Sequence, residues 1–175
     1  DGLVAGIGNR ASTVARTAIQ HVASTARMQT MIENSDILDG YVWVSTLDGR
    51  TSQTCRSLDK KFFQFGKGPV PPIHPNCRST MVPELNDEFD FLREGGTRAS
   101  KDGPVDADLS YYEWLKTQSA EFQDSALGPA RGQLFRNGGL SPEKFSQLNL
   151  GRNFQPMTLE EMRRLEPLAF ERAGL

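Results

Sequence analysis

Val14, Ala18, Val22 and Ala26 recur every four positions, and Ile19, Ala23 and Met31-Ile32 widen the stripe. Arg16, Gln20, Arg27 and Gln29 fall between them. This rhythm predicts an amphipathic helix over residues 11–33, with Ser12 as N-cap and Asn34-Ser35-Asp36 as its break. The pattern then changes period. Tyr41-Val42-Trp43-Val44-Ser45 is rich in β-branched and aromatic residues and predicts a strand, turned by Asp48-Gly49. A second strand is predicted over Phe62–Phe65, ended by Gly66-Lys67-Gly68-Pro69, and a short third over Thr80–Val82, closed by Pro83. The first strand alternates Tyr41, Trp43 and Ser45 against Val42 and Val44. The expected arrangement has the two valines facing the core and Trp43 packed over the loops.

Beyond Pro83 the apolar positions return to helical spacing. Leu85, Phe89 and Leu92 predict a short acidic helix stopped by Gly95-Gly96. Residues 96–109 are poor in apolar side chains and read as a linker. Tyr111, Leu115 and Phe122 mark a helix over 110–126, broken by Gly128-Pro129, and residues 130–136 add a turn or two. Ser141-Pro142 has the chemistry of an N-cap followed by a first helical position, opening a helix with Phe145 and Leu148. Thr158-Leu159-Glu160-Glu161 is a capping box ahead of Leu159, Met162 and Leu165, with Pro167 kinking the end. The fold class is α+β. An N-terminal helix packs on a small antiparallel sheet with a Cys/His loop knot over residues 1–83, followed by a mostly α-helical extension over residues 84–175. Each apolar stripe of the extension is too short for a core of its own. The stripes must therefore pack on one another, on the sheet or on a partner chain.

Composition changes the picture only slightly. Of 175 residues, 37% are hydrophobic and 24% charged, ordinary values for a globular chain able to bury a core. No apolar run approaches the roughly 20 residues of a membrane-spanning helix. The start, Asp1-Gly2-Leu3-Val4, lacks the basic and apolar regions of a signal peptide, and the chain reads as a fragment or processed form. The net charge of −2 divides into +3 over residues 1–83 (9 Lys and Arg against 6 Asp and Glu) and −5 over residues 84–175 (11 against 16). That asymmetry falls well short of the basic face of a dedicated nucleic-acid binder. Two cysteines do not make a secreted disulfide scaffold, so folding with reduced thiols is expected.

The candidate chemistry lies in residues 51–78. Both cysteines and one of the two histidines fall there, spaced Cys55-x18-His74-x2-Cys77. Thiolate and imidazole are ligands that zinc prefers, and His-x2-Cys forms half of a site. Structural zinc takes four protein ligands, and Asp48 or Asp59 is the candidate fourth. Two further readings stand beside zinc: a metal-free knot held by hydrogen bonds, and a Cys55–Cys77 disulfide, which needs Cα atoms within about 7 Å. A Cys77–His74 nucleophile pair oriented by Asp48 is the enzymatic alternative, though catalytic dyads mostly join distant segments. Arg50, Arg56 and Arg78 are expected to lock the loops by binding carboxylates such as Asp48 and Asp59. His21, with no other ligand type within a turn, reads as a surface histidine.

Three stretches carry a family resemblance: Tyr41-Val42-Trp43-Val44-Ser45-Thr46-Leu47-Asp48-Gly49-Arg50-Thr51-Ser52, then Cys55-Arg56-Ser57-Leu58-Asp59, then Pro72-Ile73-His74-Pro75-Asn76-Cys77-Arg78-Ser79. In order and spacing they resemble the signature of the phage Mu F-like minor head proteins. The resemblance implies a structural virion component of the head interior or portal vicinity, assembled in the host cytoplasm and active in head morphogenesis without turnover. It implies portal and capsid proteins as partners, with at most weak, non-specific contact to packaged DNA. Trp43, Asp48, Arg50, Thr51 and Arg78 are its structural motif residues. Zinc at Cys55, His74 and Cys77 is the cofactor it suggests, although family members often carry a cysteine where this chain has Ser52. Some relatives carry C-terminal toxin domains, so a toxin or nuclease payload is the alternative function. Residues 84–175 contain no histidine to serve a metal-independent nuclease as general base.

Overall fold

A computed structural model describes residues 2–92 and 95–175. The chain forms two compact units, one of Asp1–Val44 with Lys61–Glu94 and the other of Ser45–Lys60 with Gly95–Leu175.

In the first unit, helix α1 spans Gly2–Glu33, nine residues longer at its start than the periodicity indicated. Strand β1 (Leu38–Val44) lies between β2 (Phe62–Phe63) and β3 (Thr80–Leu85), both antiparallel to it. Tyr41 stands opposite Phe63 and Pro83, Val42 opposite Phe62 and Val82, and Trp43 opposite Met81. Met31, Leu38, Tyr41 and Met81 form the core here, with Met28, Phe63, Phe65 and Leu85 against it.

Two expected facings are reversed. Tyr41 and Trp43 are fully buried, whereas Val42 and Val44 are only half-buried and Phe62 and Val82 on Val42's side are exposed. A pleated strand can bury only one set, and the larger aromatic surfaces take the inner side. On α1 most of the apolar stripe is likewise outside: Val14, Ile19 and Val22 are exposed, and only Met31 near its end is buried in the core. The inward side is polar because what it meets is a loop. The Asn76 backbone N–H donates to the Thr17 hydroxyl (3.1 Å), the Asn76 side-chain amide to the Thr13 hydroxyl (3.2 Å), and Gln20 to the Ser79 carbonyl (2.7 Å). Backbone polar groups need partners, and the threonines and Gln20 of α1 supply them.

In the second unit, α2 (Gln53–Leu58) precedes a β4 (Thr97–Ser100) and β5 (Gly103–Asp106) hairpin. Residues 96–109, expected as a linker, thus contain a two-stranded sheet, held in place through Arg98. The helices α3 (Tyr111–Lys116), α4 (Ala120–Leu127), α5 (Pro129–Asn137), α6 (Pro142–Leu148), α7 (Leu159–Leu165) and α8 (Pro167–Ala173) follow. Local chemistry explains their starts. Ser110 and Thr158 form capping boxes with Glu113 and Glu161, Ser119 and Ser141 cap through their hydroxyls, and Pro129 and Pro167 sit in first turns. Ser119 therefore divides the helix expected over 110–126, and Pro167 begins a helix of its own. The expected acidic helix is a 3-10 segment over Asp87–Leu92, with Leu85 in β3; its end at residues 93 and 94 lies outside the described residues.

The stripes of the extension pack on one another. Tyr111, Tyr112, Trp114, Leu115, Leu134, Phe145, Leu148, Met162 and Phe170 form one core, and Leu47 joins it from the motif segment. Tyr112 meets Phe145 edge-on at 5.2 Å, and Phe135 meets Phe145 at 4.9 Å, within the range where aromatic pairs add to burial. Burial raises the phenols of Tyr111 and Tyr112 above their ordinary pKa, and pushes Tyr41 of the first unit up to about 12.

Candidate metal centre and motif segment

Residues 45–60 hold the sequence motif, and their folding is local first. The Asp48 carboxylate accepts the Arg50 backbone N–H (3.0 Å), which closes the Asp48-Gly49 turn, and Thr51 donates its hydroxyl to the Thr46 carbonyl (2.6 Å). Arg50 reaches the same carboxylate at 4.0 Å with its side chain 84% exposed, so that ion pair contributes little. Ser52 caps α2 by accepting the Cys55 backbone N–H (3.3 Å). Ser52 is thus engaged as a helix cap.

The segment is then tied into its unit. Gln53 donates to the carbonyls of Asn149 (3.0 Å) and Met157 (3.2 Å). The Arg56 guanidinium lies 5.3 Å over the Tyr111 ring and donates to the Gly49 carbonyl. Ser57 shares a hydrogen bond with the Tyr112 hydroxyl at 3.2 Å, and Ser146 donates to the Ser57 carbonyl.

Asp59 is the anchor. One carboxylate oxygen accepts from the Ser45 backbone N–H (2.6 Å) and from Arg98 (2.8 Å). The other accepts from Arg98 (2.9 Å) and from the Tyr111 backbone N–H (2.7 Å). Arg98 also donates to the carbonyls of Leu109 and Ser45. Four donors on one buried carboxylate form a bidentate, charge-assisted pair with the geometry that offsets desolvation. Asp59 was a candidate fourth zinc ligand, and the structure overturns that role because both oxygens are already engaged. Nothing near Arg98 in the sequence signals its partnership: it lies 39 residues from Asp59, in the segment read as a linker.

Cys55, His74 and Cys77 come together, their ligand atoms all within 4.8 Å of one another. Cys55 is buried on α2, and Cys77 is buried in a turn whose backbone N–H returns to the His74 carbonyl (3.2 Å). His74 Nδ1 lies 2.9 Å from the Pro75 carbonyl, which can only accept, so Nδ1 is the donor of this pair and Nε2 is the ring nitrogen left for a ligand. Holding one ring N–H on a backbone carbonyl is how metal-bound histidines are commonly oriented. Among the described residues no Asp or Glu joins the group, so Asp48 does not supply a ligand either. Arg78 is exposed, Thr51 buried, and His21 exposed on α1.

With this geometry in view, the comparison with known proteins is direct. Residues 5–82, a little under half of the chain, match the family described as Phage Mu protein F like protein. No curated protein and no solved structure matches the chain. The match contains β1, the motif segment and all three converging ligands. No helix among the described residues is long and apolar enough to cross a membrane.

Proposed function

We propose that the chain is a minor head protein, a structural component of the virion that sits beside the portal. It acts by binding in capsid assembly and in DNA packaging or delivery, without turnover. The family match over residues 5–82 carries this reading. Portal and capsid proteins of the same particle are its partners, and any contact with packaged DNA is weak and non-specific. Co-expression with the portal protein of the same phage tests it. The chain should co-purify with assembled portal rings, and particles made without it should package or deliver DNA poorly. A chain that never associates with portal or capsid, and whose loss leaves particles fully infectious, contradicts the reading.

Zinc at Cys55, His74 and Cys77 belongs to the same proposal. Two buried sulfurs and an imidazole with Nε2 as acceptor fit the donor preferences of zinc, with a fourth position left to another donor. The ion would cross-link the loops, a structural role. Chain purified from zinc-supplemented cells should carry about one zinc per molecule by elemental analysis. Cys77→Ser should lose the metal and lower the melting temperature. Metal-free protein that neither takes up zinc nor gains stability from it would remove zinc from the proposal.

A further inference from the structure

Among the described residues the arginines that are not exposed are Arg56, Arg98 and Arg131, and all belong to the second unit. Arg98 has the Asp59 carboxylate as its counter-charge. Among the described residues no carboxylate comes within ion-pair distance of Arg56 or Arg131. Each donates to a backbone carbonyl, Arg56 to Gly49 (3.3 Å) and Arg131 to Met157 (2.8 Å). Each also keeps a buried Nε without an acceptor. Arg56 is only 7% exposed, so bulk solvent supplies little of what is missing.

The fold brings the two cations together. Gln53 and Arg56 lie one turn apart on α2, and Gln53 donates to the same Met157 carbonyl as Arg131 (3.2 Å). Both charges act on the Tyr112 phenol, which shares its hydrogen bond with Ser57, the residue after Arg56. Burial lowers the Arg131 guanidinium from its ordinary pKa, Tyr112 opposes that, and the neighbouring Arg56 charge adds to it. The Tyr111 ring under Arg56 replaces only part of a counter-charge. Two guanidiniums withdrawn from solvent beside each other are destabilising unless something negative lies against them. Water can accept from an N–H group, but it cannot cancel the charge.

We infer that Arg56 and Arg131 together bind a small tetrahedral oxyanion of the phosphate class. A guanidinium matches phosphate oxygens two at a time, and a pair of them suits a dianion. The burial of Arg56 excludes a duplex backbone, and half-buried Arg131 forms the open side of the site. The occupant is therefore free phosphate or the terminal phosphate of a small ester. Binding here is independent of the minor-head reading and of zinc, since neither arginine belongs to the Cys/His group.

Side-chain nitrogen–proton NMR of the full chain, titrated with sodium phosphate at constant ionic strength, tests the site. The Nε–H resonances of Arg56 and Arg131 should shift and saturate, and the melting temperature should rise along the same curve. Sodium chloride at equal ionic strength should do neither. Arg131→Gln keeps a donor for the Met157 carbonyl but removes the charge, and should weaken phosphate at least about tenfold. Arg152→Gln, at an exposed arginine on the loop before Met157, controls for general charge and should change the affinity less than about twofold. Glycerol phosphate in place of phosphate separates the sources: tighter binding assigns the site to an ester, weaker binding to the free ion. Resonances that do not saturate, or that chloride shifts equally, would leave only water on the two Nε groups and overturn the inference. An Arg131→Gln chain that binds phosphate like the unmodified one would overturn it too. If that variant does not fold, the Nε–H titration of the unmodified chain still decides.

Discussion

Asp59→Ala is expected to cost about 3–5 kcal/mol of stability in the unit that contains it, because it leaves the Arg98 guanidinium buried without its counter-charge. The side chains of Asp59 and Arg98 are 0% and 8% exposed, so solvent cannot take over. The loss has a second source: the backbone N–H groups of Ser45 and Tyr111 both donate to this carboxylate. Arg98→Ala should cost a comparable amount, leaving the carboxylate as the unpaired charge. Replacing both by apolar residues of similar volume should recover part of the loss, since the pair's net contribution is much smaller than the cost of breaking it. Urea unfolding of a Trp43→Phe background, in which Trp114 is the only indole, reads this unit alone. A loss under about 1 kcal/mol for Asp59→Ala, the range of a surface pair, would refute the anchoring role.

Trp43→Ala is expected to cost about 3–5 kcal/mol, the range for truncating a fully buried large aromatic. Trp43 is 0% exposed at the end of β1, with its backbone N–H held by the Lys61 carbonyl at 2.9 Å. Its neighbour on the strand, Val44, is only half-buried, and Val44→Ala should cost well under half as much. Comparing the two by chemical denaturation separates which set of β1 side chains faces inward. Equal losses would mean that the strand's facing is not what the burial pattern implies.

The local instructions in this sequence are strong where capping and turn chemistry act over three or four residues. Ser141-Pro142 and the Thr158–Glu161 box start helices where they were read to, and Gly128-Pro129 ends one and begins the next. The same chemistry at Ser119 was present in the sequence but was outweighed by the apolar spacing of Leu115 and Phe122. The β4–β5 hairpin was missed for a different reason. Thr-Arg-Ala-Ser and Gly-Pro-Val-Asp have little apolar alternation, and what fixes the hairpin is Arg98 on Asp59 together with the Lys101 N–H on the Leu47 carbonyl.

The site divides in the same way. Convergence of Cys55, His74 and Cys77 was legible because three scarce ligand types sit in one short stretch of a recognisable motif. The exclusion of Asp48 and Asp59 from the group was not, since it depends on a turn geometry and on partners tens of residues away. The motif arginines were expected to lock the carboxylates. Arg50 does so weakly from solvent, Arg56 instead stacks on Tyr111, and the arginine that binds Asp59 comes from outside the motif.

By itself the sequence determined that residues 11–33 are helical, that Tyr41–Val44 is a strand, that the extension is a series of short capped helices, and that the Cys/His ligands belong together. These follow from rotamer preference, capping and spacing, which act within a few residues. The tertiary structure alone decided which side of α1 and of β1 is buried, and which arginine pairs with Asp59. Periodicity gives the two faces of an element but not the surface that each will meet. On α1 the inner surface is a loop of backbone donors and carbonyls, and it selects the polar face.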